Sequence, residues 1–213
     1  MYNSAETGTY GQDGFDAFSS KTVRLALTHF AKLENTCSIF IITVMVLVVT
    51  IIMLTCCENF RRKTPHNYVA LMVFTFAESF MVGVISSMYY YKIVLTAVLI
   101  TAVICLALTI FAFQTKIDFT VYNGLLFVLL IVLMLFGLIA SFWRDGIVHL
   151  IYSCLGALLF SAYLVVDTQM IVGGTHKFQI SSEEYVFAAL TLYLDVINIF
   201  LYVLSIISSA NRS

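Results

Sequence analysis

Two aspartates, Asp167 and Asp195, stand inside the last two apolar stretches of a chain that carries almost no other buried charge. A charged side chain near mid-membrane costs roughly 3 kcal/mol on insertion scales, so such residues usually mark an ion or proton path. Asp195 lies about 15 Å into its stretch and Asp167 about 9 Å before Gly173, at a helical rise of roughly 1.5 Å per residue. Antiparallel neighbours joined by one loop bring these carboxylates together. Two close carboxylates in a low dielectric do not both ionise cheaply, so they should share a proton and titrate as a coupled pair. Protonated, the pair is neutral and closed to metal. Ionised, it attracts a hard cation such as calcium, which prefers oxygen ligands. Asn198 follows Asp195 by three residues and shares its helix face, adding a neutral oxygen. A plainer reading has each aspartate capping a backbone or pairing with an arginine, and the sequence leaves both open.

Glu78 is the third acid inside an apolar stretch; it either lines the same cavity or hydrogen-bonds a neighbouring helix. Arg61 and Arg62 flank the first connector, placed either to latch Asp167 or to snorkel into water. Ser79, Gly83 and Ser87 recur every four residues, as do Ala157 and Ser161, a spacing expected of close helix packing. His176, beside Lys177 in a polar loop, is expected to be exposed.

The elements that must position these residues are helices. The chain has 213 residues, 61% hydrophobic and 11% charged, which no soluble core of this size needs. Six apolar segments, about 38–55, 67–88, 93–113, 119–143, 147–172 and 185–208, are each long enough to cross a hydrocarbon core of ~30 Å. Their apolarity is continuous rather than alternating, which excludes a membrane barrel. The expected fold is therefore an all-α integral membrane protein, a six-helix bundle over 38–208 preceded by a polar tail over 1–37. Within the tail, Val23, Leu27 and Phe30 recur at helical spacing, consistent with an interfacial amphipathic helix over 21–37, a short exposed helix or an unstructured tail. No cleavable signal is evident, so the first apolar helix serves as the anchor.

Net charge is −1, so nothing suggests a nucleic-acid partner. The five cysteines form no CxxC or Cys/His spacing, so neither a zinc site nor a disulfide framework is expected. Cys56 and Cys57 are read as free interfacial thiols, with palmitoylation beside Arg61, Arg62 and Lys63 as the alternative. Orientation is undecided by charge. Six spans put Lys21, Arg24, Lys32, Lys92, Arg144 and Arg212 on one side, against Arg61, Arg62, Lys63, Lys116 and Lys177 on the other.

From about residue 44 onward the chain resembles the transmembrane Bax-inhibitor-motif family, in its Lifeguard (glutamate-receptor-associated-protein-like) branch. The stretches that carry the resemblance are LTCCENFRRKTPHNY, FTFAESFMVGVISS, ICLALTIFAFQTKIDFTV and the long run from YSCLGALLFSAYLVVDTQ to YLDVINIFLYVL. The resemblance implies seven transmembrane helices in endoplasmic reticulum, Golgi or plasma membrane, inhibition of apoptosis, and a pH-sensitive calcium leak. It makes Asp167 and Asp195 the pH-sensing gate, with calcium as their ligand, and Arg61 or Arg62 the latch.

The chain departs from the family after FSSKTVR at 18–24. A first transmembrane helix should follow there, yet the sequence passes to the run into the second. Loss of one span changes parity: with FRRK and GGTHKF cytosolic, the tail falls on the lumenal side.

The leading expectation is thus a pH-gated calcium leak, with calcium as transported ion, no cofactor and the lipid bilayer as partner. The alternative is an interaction protein that restrains apoptosis regulators, death receptors or ion-channel subunits without conducting. An intramembrane aspartyl protease also uses two aspartates, but Val165-Val166 before Asp167 and Tyr193-Leu194 before Asp195 give neither a YD nor a GxGD pattern. No enzyme is expected.

Overall fold

Inside a bilayer every backbone N–H and C=O must find a partner within the protein, and a helix does this locally. The apolar stretches accordingly form helices. A computed structural model describes residues 38–57, 65–142, 146–173 and 184–211. The helices are α1 (Ser38–Cys56), α2 (His66–Ser87), α3 (Tyr91–Gln114), α4 (Asn123–Phe142), α5 (Gly146–Val172) and α6 (Tyr185–Ala210). There is no strand among the described residues. Among the described residues, six helices are long and apolar enough to cross a membrane, the fourth counted with the short turn before it. The segment 21–37, together with Arg61, Arg62 and His176, lies outside the described residues.

The chain divides into two units, Met1–Val46 and Leu47–Ser213. Of the first, only 38–46, the start of α1, is described, and there the Thr43 hydroxyl donates to the Ile39 carbonyl at 2.8 Å. The second unit uses the same device repeatedly. Thr55, Thr75, Thr96 and Thr168 each donate to the carbonyl four residues earlier, which hides a hydroxyl inside an apolar span.

Helix ends follow local chemistry. Pro65 precedes α2, and α2 passes to α3 through three residues, Met88 to Tyr90. Gly173 closes α5 at φ 68°, where its N–H donates to the Gln169 carbonyl; this left-handed position favours glycine. The expected span 119–143 is not one continuous α-helix. Phe119–Tyr122 is a 3-10 turn, because Asp118 Oδ1 accepts from both the N–H and the hydroxyl of Thr120 and draws that turn tight.

Within the second unit, α5 and α6 pack most extensively, and α3 packs against both. Ala97 of α3, Leu164 of α5 and Ile199, Phe200, Val203 and Leu204 of α6 form one buried cluster. A second joins Leu126 and Leu133 of α4 to Leu159 and Val166 of α5. A third sets Leu47 and Leu54 against Ala70 and Phe74 of α2 and Val186 and Leu190 of α6. Large apolar side chains such as Phe76, Leu138 and Leu158 point outward, as lipid-facing residues do. Because lipid is as apolar as leucine, helix association here rests on close packing and interhelical hydrogen bonds.

Candidate functional site

The register of α5 against α6 decides whether the two aspartates meet. At one end of the seam, Ser153 Oγ and Ser205 Oγ lie 2.7 Å apart, and the hydroxyls of Tyr152 and Tyr202 lie 3.1 Å apart. Ser153 donates to the His149 carbonyl at 2.8 Å, so Ser205 is the donor between the serines. Three residues on from Ser153, Gly156 lies against the Tyr202 ring, so rising numbers on α5 meet falling numbers on α6 and the helices are antiparallel. Continuing that register brings Asp167 to Thr191 and Asp195.

The carboxyls of Asp167 and Asp195 lie within hydrogen-bonding reach of each other, and Asp167 also meets the Thr191 hydroxyl. Both are buried, with 6% and 4% of their surfaces exposed. Leu164, Val165, Val166, Thr168 and Gln169 are buried around Asp167. Tyr163 lies within electrostatic range of both acids, and Cys105 of α3 within range of Asp195. Among the described residues, Asp195 Oδ2 has no hydrogen-bond partner, and neither has Thr101 Oγ1, one turn from Cys105 on α3. Thr191 donates to its own Ala188 carbonyl at 3.1 Å, so its single proton has two acceptors to choose from.

The other candidate residues sit elsewhere. Glu78 is half-buried on α2 and acts on Tyr193 of α6, whose phenol also meets Ser79. Tyr193 and Asp195 are two residues apart, hence about 200° apart around the helix. Glu78 therefore faces a neighbouring helix and not the carboxyl pair. The Asn198 amide donates to its own Leu194 carbonyl at 2.8 Å. Among the described residues, no group of three His, Cys, Asp or Glu side chains could hold a metal ion. A cation at the pair would therefore keep part of its shell from water or hydroxyls. Cys56 and Cys57 are exposed thiols.

Sequence reasoning passed over Gln169, which is fully buried. Its Oε1 accepts from the Phe119 N–H at 2.8 Å and its Nε2 donates to the Ile117 carbonyl at 3.0 Å. One side chain thus ties the α3–α4 joint to the helix carrying Asp167. Only its polar type within an apolar run signalled this; partners some fifty residues away carry no local signature. The expected small-residue packing at Gly83 is absent, since nothing approaches within 4 Å of the methyl that alanine would add. The close approach lies instead at Gly156, against the Tyr202 ring, and at Gly137, against Tyr152.

These observations can be set beside known proteins. The Bax1-I family, described as inhibitor of apoptosis-promoting Bax1, matches residues 15–212. The chain is 42% identical over 185 residues to protein lifeguard 3 of Homo sapiens, covering 85% of this chain and 59% of that protein. It is 40% identical over 184 residues to protein lifeguard 3 of Mus musculus, covering 83% and 58%. It is 38% identical over 170 residues to protein LIFEGUARD 4 of Arabidopsis thaliana, covering 78% and 67%. The chain thus spans under two thirds of the length of the two mammalian relatives. With six apolar helices, a buried aspartate pair between the last two and a family match across nearly its whole length, the chain is a multi-pass membrane protein of the Bax1-I (Bax inhibitor motif) family, with Lifeguard proteins as its relatives.

Proposed function

We propose that this protein is a pH-sensitive calcium leak in an intracellular or plasma membrane, which lowers stored calcium and so restrains apoptosis. One observation carries the reading. Two buried carboxyls meet on facing helices, and Asp195 keeps an oxygen without a partner. Such a pair is costly in a membrane unless it serves an ion or a proton. Protonated, it offers a passing cation no charge; ionised, it offers oxygen ligands that a hard cation accepts. Protons and calcium then compete for the same atoms, and the leak follows the protonation of the pair. Arg61 or Arg62 would latch Asp167 in the closed state.

A second reading is a membrane protein that holds an apoptosis regulator, receptor or channel subunit without conducting. It is favoured by the acids converging only as a pair, too few ligands to form a metal site among the described residues. Calcium release from proteoliposomes separates the two. The leak reading expects release that varies with pH in the wild type and loses that dependence in Asp195→Asn. A leak independent of pH and equal in both, or no leak from well-folded protein, would sink it.

A further inference from the structure

Away from the aspartates, at the joint between α2 and α3, a cavity of about 690 Å³ opens beside the last turns of α6. From this cavity we infer that the protein carries a binding site for the headgroup of an anionic phospholipid, centred on Lys92 and Ser208.

Lys92 is exposed on the cavity wall, and none of the residues lining the cavity is acidic. No ion pair engages Lys92 among the described residues. Its ammonium is therefore available to an outside anion. The remaining polar groups are mainly donors. Ser208 has only 8% of its surface exposed, and its hydroxyl makes no hydrogen bond among the described residues. Tyr89 and Tyr90 add phenols. The Asn211 amide spends one N–H on the Ile207 carbonyl at 3.0 Å and keeps the other. Thr96 has already given its hydroxyl proton to the Lys92 carbonyl and contributes no donor. A cation with several uncommitted O–H and N–H groups and no carboxylate selects an anion of phosphate type, with many acceptor oxygens.

Position makes that phosphate a lipid's. The cavity lies where one span ends and the next begins, between Ser87 and Tyr91, which is headgroup depth. Tyr89, Tyr90 and Tyr91 fall together there, as aromatic side chains do at membrane–water boundaries. Beyond the cavity, α3 turns Leu95, Val98, Leu99 and Val103 outward, an apolar strip along which an acyl chain can lie. A lipid satisfies the donors with its phosphate and the strip with its tail, whereas a free anion satisfies only the first.

Native mass spectrometry of the purified full chain, titrated with phosphatidylserine or phosphatidylcholine, tests this site. Phosphatidylserine should be retained over phosphatidylcholine, and inorganic phosphate should not displace it. Lys92→Gln should weaken retention about fivefold, the loss expected for one basic residue at an anionic surface, and Lys92→Arg should restore it. Because Lys92 is exposed, neither change threatens the fold. Four results would each overturn the proposal: equal retention of phosphatidylcholine, no effect of Lys92→Gln, displacement by inorganic phosphate, or lipid retention seen only once residues 212–213 are removed. The last would mean that the chain's own C-terminus fills the cavity.

Discussion

Gly156→Ala tests the seam that aligns the aspartates. A methyl at Gly156 would overlap the Tyr202 ring at three of its atoms. The ring cannot turn away cheaply. It stacks on Phe160 with centroids 5.9 Å apart, meets Tyr152 edge-on at 5.6 Å, and shares a hydroxyl contact with Tyr152. Overpacking of this kind costs about 1–3 kcal/mol. Replacing glycine by alanine inside a helix also returns roughly 0.5–1 kcal/mol of backbone entropy, which works in the opposite direction. Gly83→Ala isolates that second effect, because Gly83 is helical and has open space around its Cβ position. The difference between the two variants, measured by SDS-titrated unfolding in mixed micelles, should therefore be about 1–3 kcal/mol, with Gly156→Ala the less stable. Adding Tyr202→Ala should abolish that difference, since the overlapping ring is gone. Equal stability of Gly156→Ala and Gly83→Ala would refute the packing argument, and with it the reason for this register.

Gln169→Leu leaves the Phe119 N–H and the Ile117 carbonyl without their partner and should cost about 1–3 kcal/mol per orphaned group; faster hydrogen exchange at Phe119 is the local readout. Thr101→Val removes a buried hydroxyl that bonds to nothing among the described residues, so thermal stability should hold or rise, and a clear loss would show that the hydroxyl has a partner. Tyr202→Phe deletes only the phenol contact with Tyr152 and should cost about 0.6 kcal/mol, the average for interhelical hydrogen bonds in membranes. A disulfide formed in Ser153→Cys/Ser205→Cys should leave calcium release unchanged if that end of the seam is already fixed; loss of release would place the gating motion there.

The helices were legible because each is a continuous apolar run bounded by polar residues, and bilayer thickness turns such a run into a helix. The run 67–88 corresponds to His66–Ser87, and 185–208 to Tyr185–Ala210. The aspartate pair was legible for the same reason: two charges in apolar runs stand out against lipid, and a single loop between their helices limits how far apart they can be. Glu78 stood out equally and sits against Tyr193, because rotation about the helix axis, which uniform apolarity does not encode, decided its neighbours. The spacing of Ser79, Gly83 and Ser87 misled at Gly83, which has no close neighbour at its Cβ position, whereas Ser79 does meet the Tyr193 phenol of α6. Gly156, Tyr202 and Gln169 depend on partners distant in sequence, and the α5–α6 register that joins them emerges only from packing.

That register gives the carboxyl pair an asymmetric setting. One end of the α5–α6 seam is held by the Ser153–Ser205 and Tyr152–Tyr202 contacts, and Gln169 ties α5 to the α3–α4 joint just beyond Asp167. Around the pair itself the partners are few: Thr191, whose proton has a second acceptor, and Asp195 Oδ2, which has none. On the proposed reading, a change of protonation acts where alternatives exist, on the side-chain bonds between α5 and α6. On the remaining side of α6, α2 contributes Ala70 and Phe74 against Val186 and Leu190, with Phe74 edge-on to Tyr193 at 5.9 Å. The Asn67 amide donates to the Tyr185 hydroxyl at 3.4 Å, and the Tyr193 phenol meets Ser79. α2 thus braces the Tyr185–Tyr193 stretch of α6, just before Asp195, through side-chain contacts.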